Sequence, residues 1–85
     1  MAVTVKFFAG LKEKAGVDQM RLDAQFEPMT VAGLRAHLLS TQPGLARAFE
    51  DERRLNVAVN QELAQDDTEI DDGAEVAFFP PVTGG

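Results

Sequence analysis

Apolar and polar residues alternate at both ends of these 85 residues, with a helical period between them, and this pattern limits the fold more than any other feature. In VTVKFFA, Val3 to Ala9, the alternation places Val3, Val5 and Phe7 on one face and Thr4, Lys6 and Phe8 on the other. That is the period-two signature of a half-buried strand. Towards the other end, EIDDGAEVAFF reads as a tight turn at Asp72-Gly73 and a strand with Val76 and Phe78 inward and Phe79 outward. In the middle, Val31, Leu34, Leu38 and neighbouring Leu39 recur at spacings of three and four. Thr30 stands where a helix cap belongs, and Pro43-Gly44 stands where the helix should stop.

The remaining segments fit around this frame. LKEKAG predicts one or two helical turns ended by Gly16, which takes the left-handed conformation without steric cost. Val17 to Asp23 predicts a second strand with Met20 and Leu22 inward, pairing with the first as a hairpin. Leu45, Ala48 and Phe49 suggest a further turn or two of helix, EDERR a solvated connection, and LNVAVN a strand with Leu55, Val57 and Val59 on one face. Hairpin-like ends separated by a helix favour an α+β domain in which a mixed sheet packs on one main helix, a β-grasp. The expected division is a domain over 1–79 and an extended, flexible Gly-Gly tail over 80–85.

Fourteen acidic against eight basic residues leave a net charge of −6, which repels phosphate backbones, so no nucleic-acid partner is expected. The acidity favours a partner with a basic or apolar docking face, and it also serves solubility. No apolar run approaches the roughly 18 residues that cross a bilayer, so no membrane partner is expected. The amino end has no basic region followed by an apolar stretch, and the expected location is the cytoplasm. There is no cysteine, which removes disulfides, thiol nucleophiles and thiolate metal sites together.

Side chains suited to catalysis are scarce. His37 lies on the main helix between Ala36 and Leu38, with no second histidine or cysteine to complete a zinc site, and reads as a surface or boundary residue. The run QDDTEIDDG invites a calcium reading, but Ile70 occupies a position where a calcium loop needs oxygen, and a solvated turn is the alternative. Neither a phosphate-binding glycine loop nor a GxSxG elbow is present, and the single serine, Ser40, has no evident base. The chain is therefore expected to hold no catalytic site of its own.

Two features remain. Phe8 and Phe79 point away from the core by parity, either beneath a covering loop or helix or as a docking patch. Fully burying one phenylalanine contributes about 1.5 to 3 kcal/mol, so two are enough to anchor a partner. Pro80 and Pro81 cannot continue a sheet ladder and prefer extended geometry, so the last six residues form a stalk of roughly 18 Å at about 3.1 Å each. Gly84 and Gly85 carry no Cβ and fit a narrow channel. A terminal carboxylate is a poor electrophile until converted to a mixed anhydride, so activation must come from another protein.

The stretches AVNQELAQDDTEIDDGAEVAFFPPVTGG, Ala58 to Gly85, and VKFFAGLKEKAG, Val5 to Gly16, resemble a known family. They are similar to the small, sulfur-carrying subunits of molybdopterin synthase, the MoaD type within the ubiquitin-like MoaD/ThiS sulfur carriers. Between Ala24 and Arg54 the resemblance is one of pattern and length. It implies a ubiquitin-like β-grasp and a carrier whose Gly85 carboxylate is adenylated by a ubiquitin-activating-like enzyme using ATP and magnesium. A sulfur donor, such as a cysteine desulfurase or rhodanese-like protein, would then leave a terminal thiocarboxylate. The catalytic large subunit would receive that sulfur and build the molybdopterin dithiolene from the cyclic pyranopterin precursor (precursor Z), two sulfurs per product. By the same resemblance the chain binds no cofactor itself and joins a heterotetramer of two small and two large subunits. Phe8, Leu63 and Phe79 would be its hydrophobic docking residues, Pro80, Pro81, Val82, Thr83 and Gly84 its threading tail, and Gly85 its reactive position. A thiamine-type sulfur carrier and a ubiquitin-like protein modifier use the same terminal chemistry and stand as alternatives.

Overall fold

A computed structural model describes residues 2–23, 25–51 and 55–80. The alternating and periodic segments become β1 (Ala2–Phe7), α1 (Ala9–Ala15), β2 (Gln19–Asp23), α2 (Val31–Thr41), α3 (Pro43–Asp51), β3 (Asn56–Val59), β4 (Glu62–Leu63) and β5 (Glu75–Phe79). The five strands form one sheet in the order β2-β1-β5-β3-β4. Its strands β1 and β5 run parallel with Val5 opposite Val76 and Phe7 opposite Phe78, while the other pairs are antiparallel. A parallel pair requires a long crossover. The helices lie in the chain between the two strands, and the sheet is mixed, as the pattern predicted.

One sheet face meets all three helices. Val3, Val5, Phe7, Val57, Val76 and Phe78 interlock there with Leu11, Val31, Leu34, Leu38, Leu45 and Ala48, all buried. Phe78 is central: its ring lies 6.5 Å from that of Phe7 and 5.3 Å from that of Phe49, with the Arg35 guanidinium 5.9 Å from its centroid. Met20 and Leu22 pack on the edge of this core, facing inward.

Helix ends follow local chemistry. Gly16 closes α1 at φ 81°, its N–H donating to the Lys12 carbonyl at 3.0 Å. Thr30 caps α2 by accepting from the Gly33 N–H at 3.2 Å. The loop before β5 supplies further acceptors to the first turn of α2, Thr68 O to Val31 N at 3.0 Å and Asp66 O to Ala32 N at 2.9 Å. These carbonyls satisfy donors that have no partner inside the helix. Arg35 fastens the same loop through Asp66 at 3.1 Å. Gly33 is buried where a Cβ would strike the Pro28 carbonyl oxygen, so the side chain is absent for want of room.

Some boundaries differ from expectation. Pro43 does more than follow α2: it opens α3, at a first-turn position whose missing N–H costs nothing. Helix α3 also takes Glu50 and Asp51 from the expected solvated connection, the rest of which, Glu52 to Arg54, lies outside the described residues. Val17 precedes β2 and is exposed, and Leu39 turns from the core while Leu38 enters it. Phe26, Ile70 and Ala74 are buried from irregular segments whose sequence carries no period.

Candidate docking face

The other sheet face carries the sequence-predicted apolar residues. Strand register assigns its rows. Leu63 stands opposite Ala58, Ala58 opposite Ala77, and Ala77 opposite Lys6. The next row holds Asn56 opposite Phe79. Phe8 continues β1 by one residue with extended backbone, φ −128° and ψ 154°. Because Phe7 is in register with Phe78, Phe8 and Phe79 are neighbours across the parallel pair, both on this outer face. Phe8 is 47% exposed and Leu63 80%, whereas Phe79 is half-buried. At strand spacings of about 4.8 Å and a rise of about 3.3 Å per residue, Leu63 and Phe8, three strands and two residues apart, are separated by roughly 16 Å. Among the described residues the three helices contribute their core side chains to the opposite face, so parity correctly separated Phe8 and Phe79 from the core.

Small side chains fill the middle of this surface. Ala58 and Ala77 leave a shallow floor between Leu63 on one side and the Phe8–Phe79 pair on the other. Beside Ala77, Lys6 Nζ meets Glu75 Oε2 at 3.4 Å, each side chain about one-third exposed. These four residues were not marked from sequence as site residues, although the alternation that marked Phe8 also assigns them to its face. The arrangement offers apolar area bordered by charge, which is the chemistry of adhesion.

A two-residue hairpin turn delivers Leu63. Asn60 and Gln61 both have positive φ, 51° and 69°, as the tightest hairpins require. Asn60 suits that geometry and adds a bond, its Oδ1 accepting from Glu75 N at 3.0 Å while its own N–H donates to Glu75 O at 2.8 Å. Gln61 has no comparable reason to sit there.

The tail leaves from the same end of the sheet. Pro80 follows Phe79 and is half-buried, while Pro81, Val82, Thr83, Gly84 and Gly85 lie outside the described residues. Two other sequence candidates have structural roles. His37 is half-buried with its ring 5.8 Å from that of Phe26, and its carbonyl accepts from Ser40 and Thr41. In the acidic run, Asp66 turns to Arg35 and Asp72 accepts from Ala2 N at 2.7 Å, while Ile70 enters the core. Gly73, at φ 84°, completes that turn and donates to the Ala2 carbonyl at 2.7 Å. Among the described residues no helix is long and apolar enough to cross a membrane.

Known proteins match this chain along nearly its whole length. Residues 5–85 match the ThiS family. The molybdopterin synthase sulfur carrier subunit of Escherichia coli (strain K12) is 46% identical over 83 residues, covering 98% of this chain and 99% of the relative. Among solved structures, SAMP1 from Haloferax volcanii superposes with a TM-score of 0.78 at 34% identity, covering all of both chains. A protein–protein complex of subunits 1 and 2 of molybdopterin-converting factor from Helicobacter pylori contains a chain matching at a TM-score of 0.68 and 30% identity, again with full coverage of both.

Proposed function

The chain belongs to the ThiS family, and on that premise we propose that it is the sulfur carrier of molybdenum cofactor biosynthesis, the small subunit of molybdopterin synthase. The observation that carries this reading is the grouping of Phe8, Phe79 and Leu63 on one sheet face that the described helices leave uncovered, at whose end the chain departs towards Gly85. High identity over nearly the full length of a carrier subunit from Escherichia coli supports it, as does the relative solved in complex with subunit 2. The domain is the part that partners grip, and the tail is the part they process.

The cycle follows from carboxylate chemistry. At neutral pH the Gly85 carboxylate is ionised and resists nucleophiles. An adenylating enzyme resembling ubiquitin-activating enzymes joins it to AMP, releasing pyrophosphate from magnesium-bound ATP. The persulfide sulfur of a desulfurase or rhodanese-like donor displaces AMP to give an acyl persulfide, and a second thiol of the donor or activating enzyme then cleaves its S–S bond, forming a disulfide and releasing the thiocarboxylate. In the large subunit the sulfur passes to the pyranopterin precursor, and water restores the carboxylate. Gly84 and Gly85 have no side chains to obstruct a narrow active-site channel. The large subunit supplies the catalytic residues, so the assembled synthase is the transferase. We place the cycle in the cytoplasm, where ATP and the donor proteins are available.

Mass spectrometry of the C-terminal peptide from native cells tests this reading. The expected finding is replacement of one oxygen by sulfur at Gly85, and loss of molybdopterin synthesis when Gly85 is deleted. A Gly85-deleted chain that still supports synthesis would refute it. The resemblance to SAMP1, a small archaeal modifier protein, favours a second reading as a protein modifier, which predicts isopeptide conjugates of this chain on lysines.

A further inference from the structure

We propose that the free edge of β4 at Leu63 is a strand-pairing site, occupied by an extended segment of the synthase large subunit. The inference rests on the carrier reading above and adds a main-chain component to docking. Its origin is hydrogen-bond parity. Ala64 N donates to Val57 O at 2.9 Å, the bond that flanks the Ala58–Leu63 pair. In an antiparallel ladder, residues between two such bonds form the pair that exchanges none with each other. The N–H and C=O of Leu63 therefore point away from β3, towards the side of the sheet where, among the described residues, β4 is the last strand.

The same residue carries the most exposed large apolar side chain among the described residues, 80% accessible and directed onto the docking face. A partner that covers Leu63 must come alongside this donor and acceptor and would strand them if it offered only apolar surface. An extended backbone answers both, as in recognition by strand addition. The rest of the edge is permissive, since Glu62 to Gln65 contain no proline and the turn before them pairs β4 in register with β3. A second copy of this chain is a poor occupant. Each copy has a net charge of −6, and Glu62 lies beside Leu63 on the edge. The charge favours a strand flanked by lysine or arginine.

The experiment uses the full chain with its own large subunit, following amide exchange by NMR and affinity by calorimetry. The expected results are slowing of Leu63 amide exchange by tenfold or more in the complex, and binding by Leu63→Pro about tenfold weaker than by Leu63→Ala. Proline removes the N–H as well as the leucine side chain, and that N–H faces away from the ladder. The wild-type exchange measurement stands even if Leu63→Pro fails to fold. A complex that forms normally with Leu63 exchanging as fast as in the free chain would overturn the edge pairing and leave the carrier reading intact. Protection that appears in the chain alone and rises with its concentration would assign the edge to self-association and overturn the proposal. Absence of any complex would overturn the carrier reading, and this inference with it.

Discussion

Truncating Leu63 to alanine separates docking from folding more cleanly than any other change on the outer face. In the free domain this side chain is 80% exposed, so its removal takes little from the core and unfolding free energy should move by no more than about 0.5 kcal/mol. Full burial of a leucine contributes about 1.5 to 3 kcal/mol, and four-fifths of that remains to be gained when a partner covers it. Allowing for the methyl that alanine keeps, the expected loss is about 1 to 2 kcal/mol, or roughly fivefold to thirtyfold in Kd. Titration calorimetry against the large subunit measures the second quantity and urea denaturation the first. Phe8→Ala is the internal comparison: at 47% exposure it should divide its cost between stability and affinity. An unchanged Kd for Leu63→Ala, or a stability loss above about 1 kcal/mol, would refute the assignment of this residue to a partner surface.

Gly33→Ala should destabilise the domain by about 2 kcal/mol or more in urea titration, because the new methyl meets the Pro28 backbone and not a movable side chain. Gln61→Gly should do the opposite. It relieves a left-handed conformation at φ 69° that costs a side-chain-bearing residue about 1 to 2 kcal/mol, partly offset by greater freedom of the unfolded chain. The expected net gain of about 0.5 to 1 kcal/mol would raise Tm by roughly 2 to 8 °C in a thermal melt.

How much was legible depended on periodicity. Val3, Val5 and Phe7, or Val76 and Phe78, announce a buried face because every second residue repeats the message, and Thr30 announces a helix start because its hydroxyl can reach a free N–H. The outward placement of Phe8 and Phe79 was legible for the same reason: the parity that fills the core excludes them. Phe26, Ile70 and Ala74 were not legible, since each enters the core from a segment without regular geometry and so from no predictable side. Pro43 was misread as a terminator alone because the same ring that cannot continue one helix is well suited to begin the next. The Leu63 edge was hidden for a different reason. Which residues of a ladder spend their N–H inward depends on the register set by a two-residue turn, and Gln61 is an unexpected occupant of that turn.

The in-register pairing of Phe7 with Phe78 has a mechanical consequence. One rigid ladder determines both where Phe8 projects and where the polypeptide leaves after Phe79, so grip and aim share a single bracket. A partner that seized the aromatic pair would thereby also fix the position of Pro80, without touching it. Slippage between these two strands by one residue would do more than weaken attachment. It would invert which rings face outward and shift where Pro80 emerges in the same stroke.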